Sequence, residues 1–240
     1  MTMTSMSPTA SDEPGLAPLV EDCGGLRGRA RVGIVGGTFD PIHVGHVQAG
    51  LLARDQLGLD AVVFMPAARS NFKRDLVPAP AADRVAMARL ALAGQARCLV
   101  SVQEVRRGGV SYTSQTLAEV ATQLGPGTRL YFVLGGDALA TLPTWHDAAT
   151  IARHATIAVA ARAGGADVAR AAERARACAA RFSVTVLAGD VTRVSSTQVR
   201  GLVARGRSTA GLLDPRVRAY IDGRGLYRTA AGAFRREGAE

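Results

Sequence analysis

Residues 31–57, RVGIVGGTFDPIHVGHVQAGLLARDQL, decide how the rest of the chain is read. Residues 31–35 form a short apolar, β-branched run of strand type. Gly36-Gly37 ends it, and a loop follows through Thr38, Phe39, Asp40 and Pro41. From about Val44 the spacing turns helical, with Val47, Leu51 and Leu52 on one face. A strand therefore runs into a glycine turn and then into a helix whose first turn carries His43 and His46.

This succession has a chemical meaning. The first amides of a helix lack internal partners, and the helix dipole places partial positive charge at that end. Such an end is a ready site for phosphate. Gly36, Gly37 and Gly45 leave room for close approach of a phosphate to the backbone. His43 and His46 lie three residues apart, so both rings can face one spot. Two imidazoles and free amides can offset charge developing on a phosphoryl group without covalent chemistry. Helix capping accounts for such a His pair about as well on spacing alone. Zinc would require a third protein ligand, and no Cys or further His lies near in sequence. The conjunction of strand, double glycine, short loop and His pair favours phosphate.

GGTFDPIHVGH resembles the signature of the HxGH superfamily of adenylyl- and cytidylyltransferases. The resemblance implies that His43 and His46 hold the α-phosphate of a nucleoside triphosphate, with Gly36, Gly37, Thr38 and Phe39 also on the ATP side. It leaves the acceptor substrate open.

The chain has 240 residues and a formal net charge of +9, and nearly half its residues are apolar. That length suits one sizeable α/β domain with a packed core. No apolar run reaches membrane-spanning length, and the first residues lack the basic start and apolar core of a secretory signal. Cys23, Cys98 and Cys178 are far apart and form no C-x-x-C, which points to a reducing cytoplasm rather than a disulfide or zinc framework. The positive charge shows no basic block interleaved with aromatics, so nucleic acid is not the expected partner. A basic surface steers polyanionic small substrates equally well. Self-association is left open.

Residues 1–28, rich in Ser, Thr, Pro, Gly and Ala, read as a disordered leader. Residues 60–65, 98–102, 129–134, 155–160 and 182–187 read as further strands, alternating with helices from about 83, 113, 167, 196 and 215. Residues 106–120 read as a flexible connection into a helix that Ser111 or Thr113 caps, and residues after 227 as a frayed tail. The alternation implies a Rossmann-like, doubly wound parallel sheet with helices on both faces, spanning residues 29–228. Ligands of such sheets bind beyond the carboxyl ends of the strands. That rim collects His43, His46, Lys73, Asp137, Trp145 and Arg200. Trp145 suits an aromatic plate for a planar ring, though lone tryptophans more often pack in cores or rims. Ser196, Thr197 and Arg200, at a helix start, suit a second phosphate site, with capping and a surface arginine as the plainer account.

Several stretches are similar to one branch of the superfamily, bacterial nicotinate mononucleotide adenylyltransferase. VSSTQVR resembles its I-S-S-T-x-I-R motif, which implies ATP-phosphate roles for Ser196, Thr197 and Arg200. GGDALATLPTWHDAATI resembles its G-x-D…W segment, which implies that Trp145 stacks on the nicotinate ring and Asp137 lies by the nucleotide. SYTSQTL implies Thr113 near the pyridine, and NFKRD implies Lys73 on phosphate. Gln115 stands where the family usually has a carboxylate, and residues 69–72 replace a proline-rich approach to the lysine. The resemblance implies transfer of AMP from ATP to nicotinate mononucleotide, giving deamido-NAD and pyrophosphate. Mg²⁺ would arrive with ATP, and no metal-ligating residue is expected of the protein. Other acceptors of the same superfamily, such as nicotinamide mononucleotide or pantetheine phosphate, stay open, as does a non-catalytic nucleotide-binding protein.

Overall fold

Leu19–Val20 forms β1, which pairs in parallel with residues 100 and 101. Residues 15–28, expected within a disordered leader, are therefore part of the fold. Ala17, Cys23 and Leu26 are buried, and the Cys23 amide donates to Gln123 Oε1 at 3.0 Å. The apolar residues here are too few, among Pro and Gly, to read as a strand. A sheet edge with unpaired backbone groups supplies the partner that local sequence does not announce. The computed structural model describes residues 15–70, 77–162, 165–178 and 180–228. The rest of the expected leader and the expected tail, 229–240, lie outside the described residues.

After β1 come β2 (Arg31–Gly37), α1 (Val44–Gln56), β3 (Ala61–Pro66), β4 (Arg69–Ser70), α2 (Ala81–Ala91) and β5 (Cys98–Ser101). Then follow α3 (Gln103–Arg107), β6 (Val110–Ser111), α4 (Thr113–Leu124), β7 (Arg129–Gly135), α5 (Gly136–Leu139) and α6 (Ala148–His154). The chain continues through β8 (Thr156–Arg162), α7 (Gly165–Cys178), β9 (Val184–Val191), α8 (Ser196–Ala204) and α9 (Pro215–Arg224). Seven strands form one parallel sheet in the order β1-β5-β3-β2-β7-β8-β9. β1 aside, this is the doubly wound order, with its reversal between β2 and β7.

Alternation along the strands divides the core in two. Val62 and Phe64 of β3 and Ala158 and Ala160 of β8 face one side, against α1, α2, α8 and α9. Val63 and Met65, with Ile157 and Val159, face the other side, against α4, α5, α6 and α7. Both faces are covered, as near-continuous apolar strands require.

Residues 106–120, expected as a flexible connection, are built into α3, β6 and α4, and β6 pairs with β4 in a small ladder beside the main sheet. The expected cap is absent: Tyr112 occupies the N-cap position of α4 with no side-chain cap bond. Ser111 Oγ instead accepts from the Ala68 amide at 3.0 Å and ties β6 to the segment after β3. The hydroxyl has a longer-range partner than its own helix, which spacing cannot disclose.

Candidate active site

The site lies at the reversal, where β2 ends beside β7. Two glycines there are required by crowding. A Cβ on Gly37 would lie 2.7 Å from Phe39 Cε1, because the loop folds Phe39 back beneath the strand end. A Cβ on Gly45 would meet Thr192 O at 3.1 Å, Val194 Cγ1 at 3.2 Å and His43 Nδ1 at 3.3 Å. The glycine between the two histidines thus lets the β9–α8 connection lie against the start of α1. Phe39, buried with φ of 51°, holds a backbone region that side chains seldom occupy, a conformation typical of ligand loops.

His43 is the N-cap of α1 and His46 its third residue, and the pair caps reciprocally. His46 Nδ1 accepts from the His43 amide at 3.3 Å. A neutral ring accepting at Nδ1 carries its proton on Nε2, so His46 presents an Nε2–H donor. The two rings stack with centroids 3.7 Å apart, and Phe39 meets His46 edge-on at 5.0 Å. Three contacts therefore set the direction of one ring.

The start of α8 abuts the same loop. Ser195 Oγ caps it, accepting from the Gln198 amide at 3.2 Å. Ser196 Oγ donates to Pro41 O at 3.0 Å, and Arg200 Nη1 donates to Asp40 O at 2.7 Å. Arg200 Nη2 reaches Thr197 Oγ1 at 3.3 Å. Two helix N-termini, two imidazoles and a guanidinium so converge on one rim, an arrangement suited to polyphosphate.

On the other side of His46 a cavity of about 300 Å³ opens. Gly36, Gly37, Thr38, His46, Thr113, Thr116, Glu104, Phe132 and Trp145 are among its lining residues. Trp145 packs edge-on to Phe132 at 6.1 Å, and its Nε1–H donates to Thr141 Oγ1 at 3.1 Å. An apolar slot with a few hydroxyls and one tryptophan wall suits a planar ring.

Of the residues expected at the site, His43, His46, Gly36, Gly37, Thr38, Ser196, Thr197, Arg200, Thr113 and Trp145 are gathered here, with Phe39 beneath them. Asp137 stands apart from the cavity lining: its largely exposed carboxylate, in the first turn of α5, lies 3.7 Å from Arg174. Lys73 lies outside the described residues. Gln115 is exposed and donates to Glu119 Oε1 at 3.0 Å, so it reaches its own helix rather than the cavity.

Two residues at the site escaped sequence reading. Arg84, 1 % exposed, donates to Thr38 O at 2.8 Å, Ala67 O at 2.7 Å, Ala68 O at 3.2 Å and Ala79 O at 3.0 Å. Burial disfavours its charge, and four carbonyls from three loop segments answer it. The charged pair Asp83-Arg84 within an otherwise apolar helix face is the signal that was available. Glu104 is buried in the cavity wall, where it accepts from Thr116 Oγ1 at 2.5 Å. Burial pushes its carboxyl above the ordinary range. It lies between the strand read at 98–102 and the connection read from 106, and nothing local marks it. Among the described residues no group of three or more His, Cys, Asp or Glu side chains is arranged to hold a metal ion.

Residues 34–202 match the family described as cytidylyltransferase-like, so the chain is of that nucleotidyltransferase class. The chain is 38 % identical over 210 residues to a protein of Chromobacterium violaceum named probable nicotinate-nucleotide adenylyltransferase, covering 83 % of this chain and 99 % of that one. A protein of the same name from Dehalococcoides mccartyi is 37 % identical over 199 residues, covering 82 % and 97 %. The fold is similar to that of Plasmodium falciparum nicotinic acid mononucleotide adenylyltransferase, with TM-score 0.65 and 15 % identity over 82 % of this chain and 97 % of that one. The chain belongs to the nicotinate-nucleotide adenylyltransferase family. No helix among the described residues is long and apolar enough to cross a membrane.

Proposed function

We propose that the chain transfers AMP from Mg·ATP to nicotinate mononucleotide by direct in-line attack. A 5′-phosphate oxygen of the acceptor forms a bond to the α-phosphorus. The bond from the α-phosphorus to the bridging oxygen breaks, and magnesium pyrophosphate leaves. Deamido-NAD remains, and the protein forms no covalent bond. Catalysis then consists of positioning and charge stabilisation.

The observation that carries this reading is the placement of the stacked His43–His46 pair between two half-sites. On one side stand the α8 N-terminus and Arg200, suited to the β- and γ-phosphates with Lys73. On the other side lies the Trp145 cavity, suited to the pyridine ring, with Thr113 beside it. His46 Nε2–H donates to the α-phosphoryl oxygen as charge grows there, and His43 supports the same group. Mg²⁺ belongs to the substrate and arrives with the triphosphate. The Plasmodium falciparum neighbour is described in complexes with NaAD and with APC, ligands of the kind these half-sites suit. Asp137, largely exposed beside Arg174, keeps its proposed place near the nucleotide.

Pyrophosphate release with Mg·ATP and either nicotinate or nicotinamide mononucleotide tests the proposal. Turnover with the nicotinate form, and less with the amide, is expected. Release of pyrophosphate with neither acceptor refutes it.

A further inference from the structure

We infer that Asp40 and Tyr227 are positioning residues for ATP, acting through Arg200, and that the closing residues of the described chain therefore form part of the triphosphate half-site. The inference rests on the adenylyltransferase reading and extends it to residues that touch no expected substrate group. Asp40 is buried in the turn between Phe39 and the His pair. Its Oδ1 accepts from Tyr227 Oη at 2.7 Å and from the Ala79 amide at 3.1 Å. Its Oδ2 lies 3.5 Å from Arg200 Nη1, the same nitrogen that donates to the Asp40 carbonyl at 2.7 Å.

One carboxylate thus meets three chain segments: the loop before α2, the first turns of α8, and Tyr227, two residues past the α9 cap. Arg200 is held at both ends of its fork, by Asp40 and by Thr197 Oγ1. These two hydrogen bonds use two of the five guanidinium N–H donors, so the group is oriented while donors stay available for phosphate. A cavity of about 230 Å³ borders Asp40, Arg200 and Tyr227, which gives that guanidinium room to meet an anion.

Tyr227 itself has φ of 60°, just after Gly225 ends α9 in the same backbone region. A tyrosine holds that conformation only where its surroundings demand it. The bond to Asp40 is the visible demand. Burial and the neighbouring carboxylate push the phenol upward, so it stays a donor through the working range. Without the phenol, Asp40 draws Arg200 closer as its remaining strong donor. The guanidinium then meets the triphosphate less well, and the pyridine cavity beyond His46 is untouched.

The test uses the full chain and two kinetic series, varying Mg·ATP at saturating nicotinate mononucleotide and the reverse. Tyr227→Phe should lower kcat/KM for ATP by about tenfold, the loss expected of one hydrogen bond to a charged group. KM for the acceptor should stay within about twofold, which a merely structural lesion would not spare. Asp40→Asn, which keeps shape but not charge, should show the same split. In the Arg200→Ala background, Tyr227→Phe should cost nothing further. Equal losses toward both substrates, no loss toward ATP, or additive losses with Arg200→Ala would overturn the inference. A calorimetric Kd for Mg·ATP without acceptor separates this outcome from failure of the functional reading: if the wild type binds ATP but transfers nothing, a selective loss of ATP affinity in Tyr227→Phe still supports the positioning role, and an unchanged Kd refutes it.

Discussion

Replacing His46 by Ala separates the catalytic from the structural work of one ring. In the folded protein three contacts aim it: the His43 amide at Nδ1, the stacked His43 ring and the edge of Phe39. In the proposed mechanism its Nε2–H is the donor that this fixed ring offers the α-phosphoryl group. Loss of one such donor to a developing oxyanion costs about 10²–10³ in kcat, or roughly 3–4 kcal/mol of barrier. The same substitution removes half of the reciprocal cap on α1, worth about 0.5–2 kcal/mol of stability. For a domain of this size that lowers Tm by only a few degrees, about 2–4 °C per kcal/mol. The catalytic loss is therefore the larger effect, and the variant is expected to remain folded at 25 °C. Continuous pyrophosphate release at saturating substrates reads kcat, and circular dichroism reads Tm. A donor that acts mainly in the transition state should lower kcat with both KM values nearly unchanged. A folded variant whose kcat stays within about threefold of wild type would refute the reasoning, because another group would then be carrying the charge.

Trp145→Ala should raise KM for nicotinate mononucleotide by about tenfold or more, the scale of an aromatic stacking loss, while KM for ATP holds within about twofold in the same assay. Gly50→Ala should destabilise by about 1–2 kcal/mol in urea titrations despite better helix propensity, because the new Cβ would lie 2.4 Å from Phe64 Cζ; a more stable variant contradicts the packing. Glu104→Gln should gain Tm relative to wild type as pH rises from 5 to 8. Burial raises the folded carboxyl above its ordinary value of 4.5, so as pH rises from there through the raised value the folded state binds more protons than the unfolded and loses stability, a loss the amide lacks. An unchanged difference in Tm across the range would show that the carboxyl bears no such penalty.

Much of this was legible from residues alone, for reasons that particular elements make plain. β2, β3 and β8 are buried on both faces, so their apolar runs stand out, and Gly36-Gly37 and Pro66 mark where the first two end. The His pair was readable because both members share one helix turn. Illegible features depend on distant partners. β1 is two residues long and exists because β5 offers it an edge. Arg84 reads as an ordinary helix residue until the carbonyls of Thr38, Ala67 and Ala68 surround it. Ser111 looked like a cap, and its partner is the Ala68 amide. Spacing reports what a residue shares with its own turn of chain, and these contacts join turns far apart.

The meeting of α8 and Tyr227 with the loop around Asp40 joins residues some 155 to 187 positions apart. Every residue lining the Trp145 cavity precedes β8, whereas Arg200 and Tyr227 follow β9, so a ribosome making this protein emits the two regions in that order. The core face that α8 and α9 cover closes only once both helices have been made. A chain ending before α8 therefore lacks Val199, Val203, Val217 and Ile221 from that core face as well as Arg200, and is expected to lose fold and rim together.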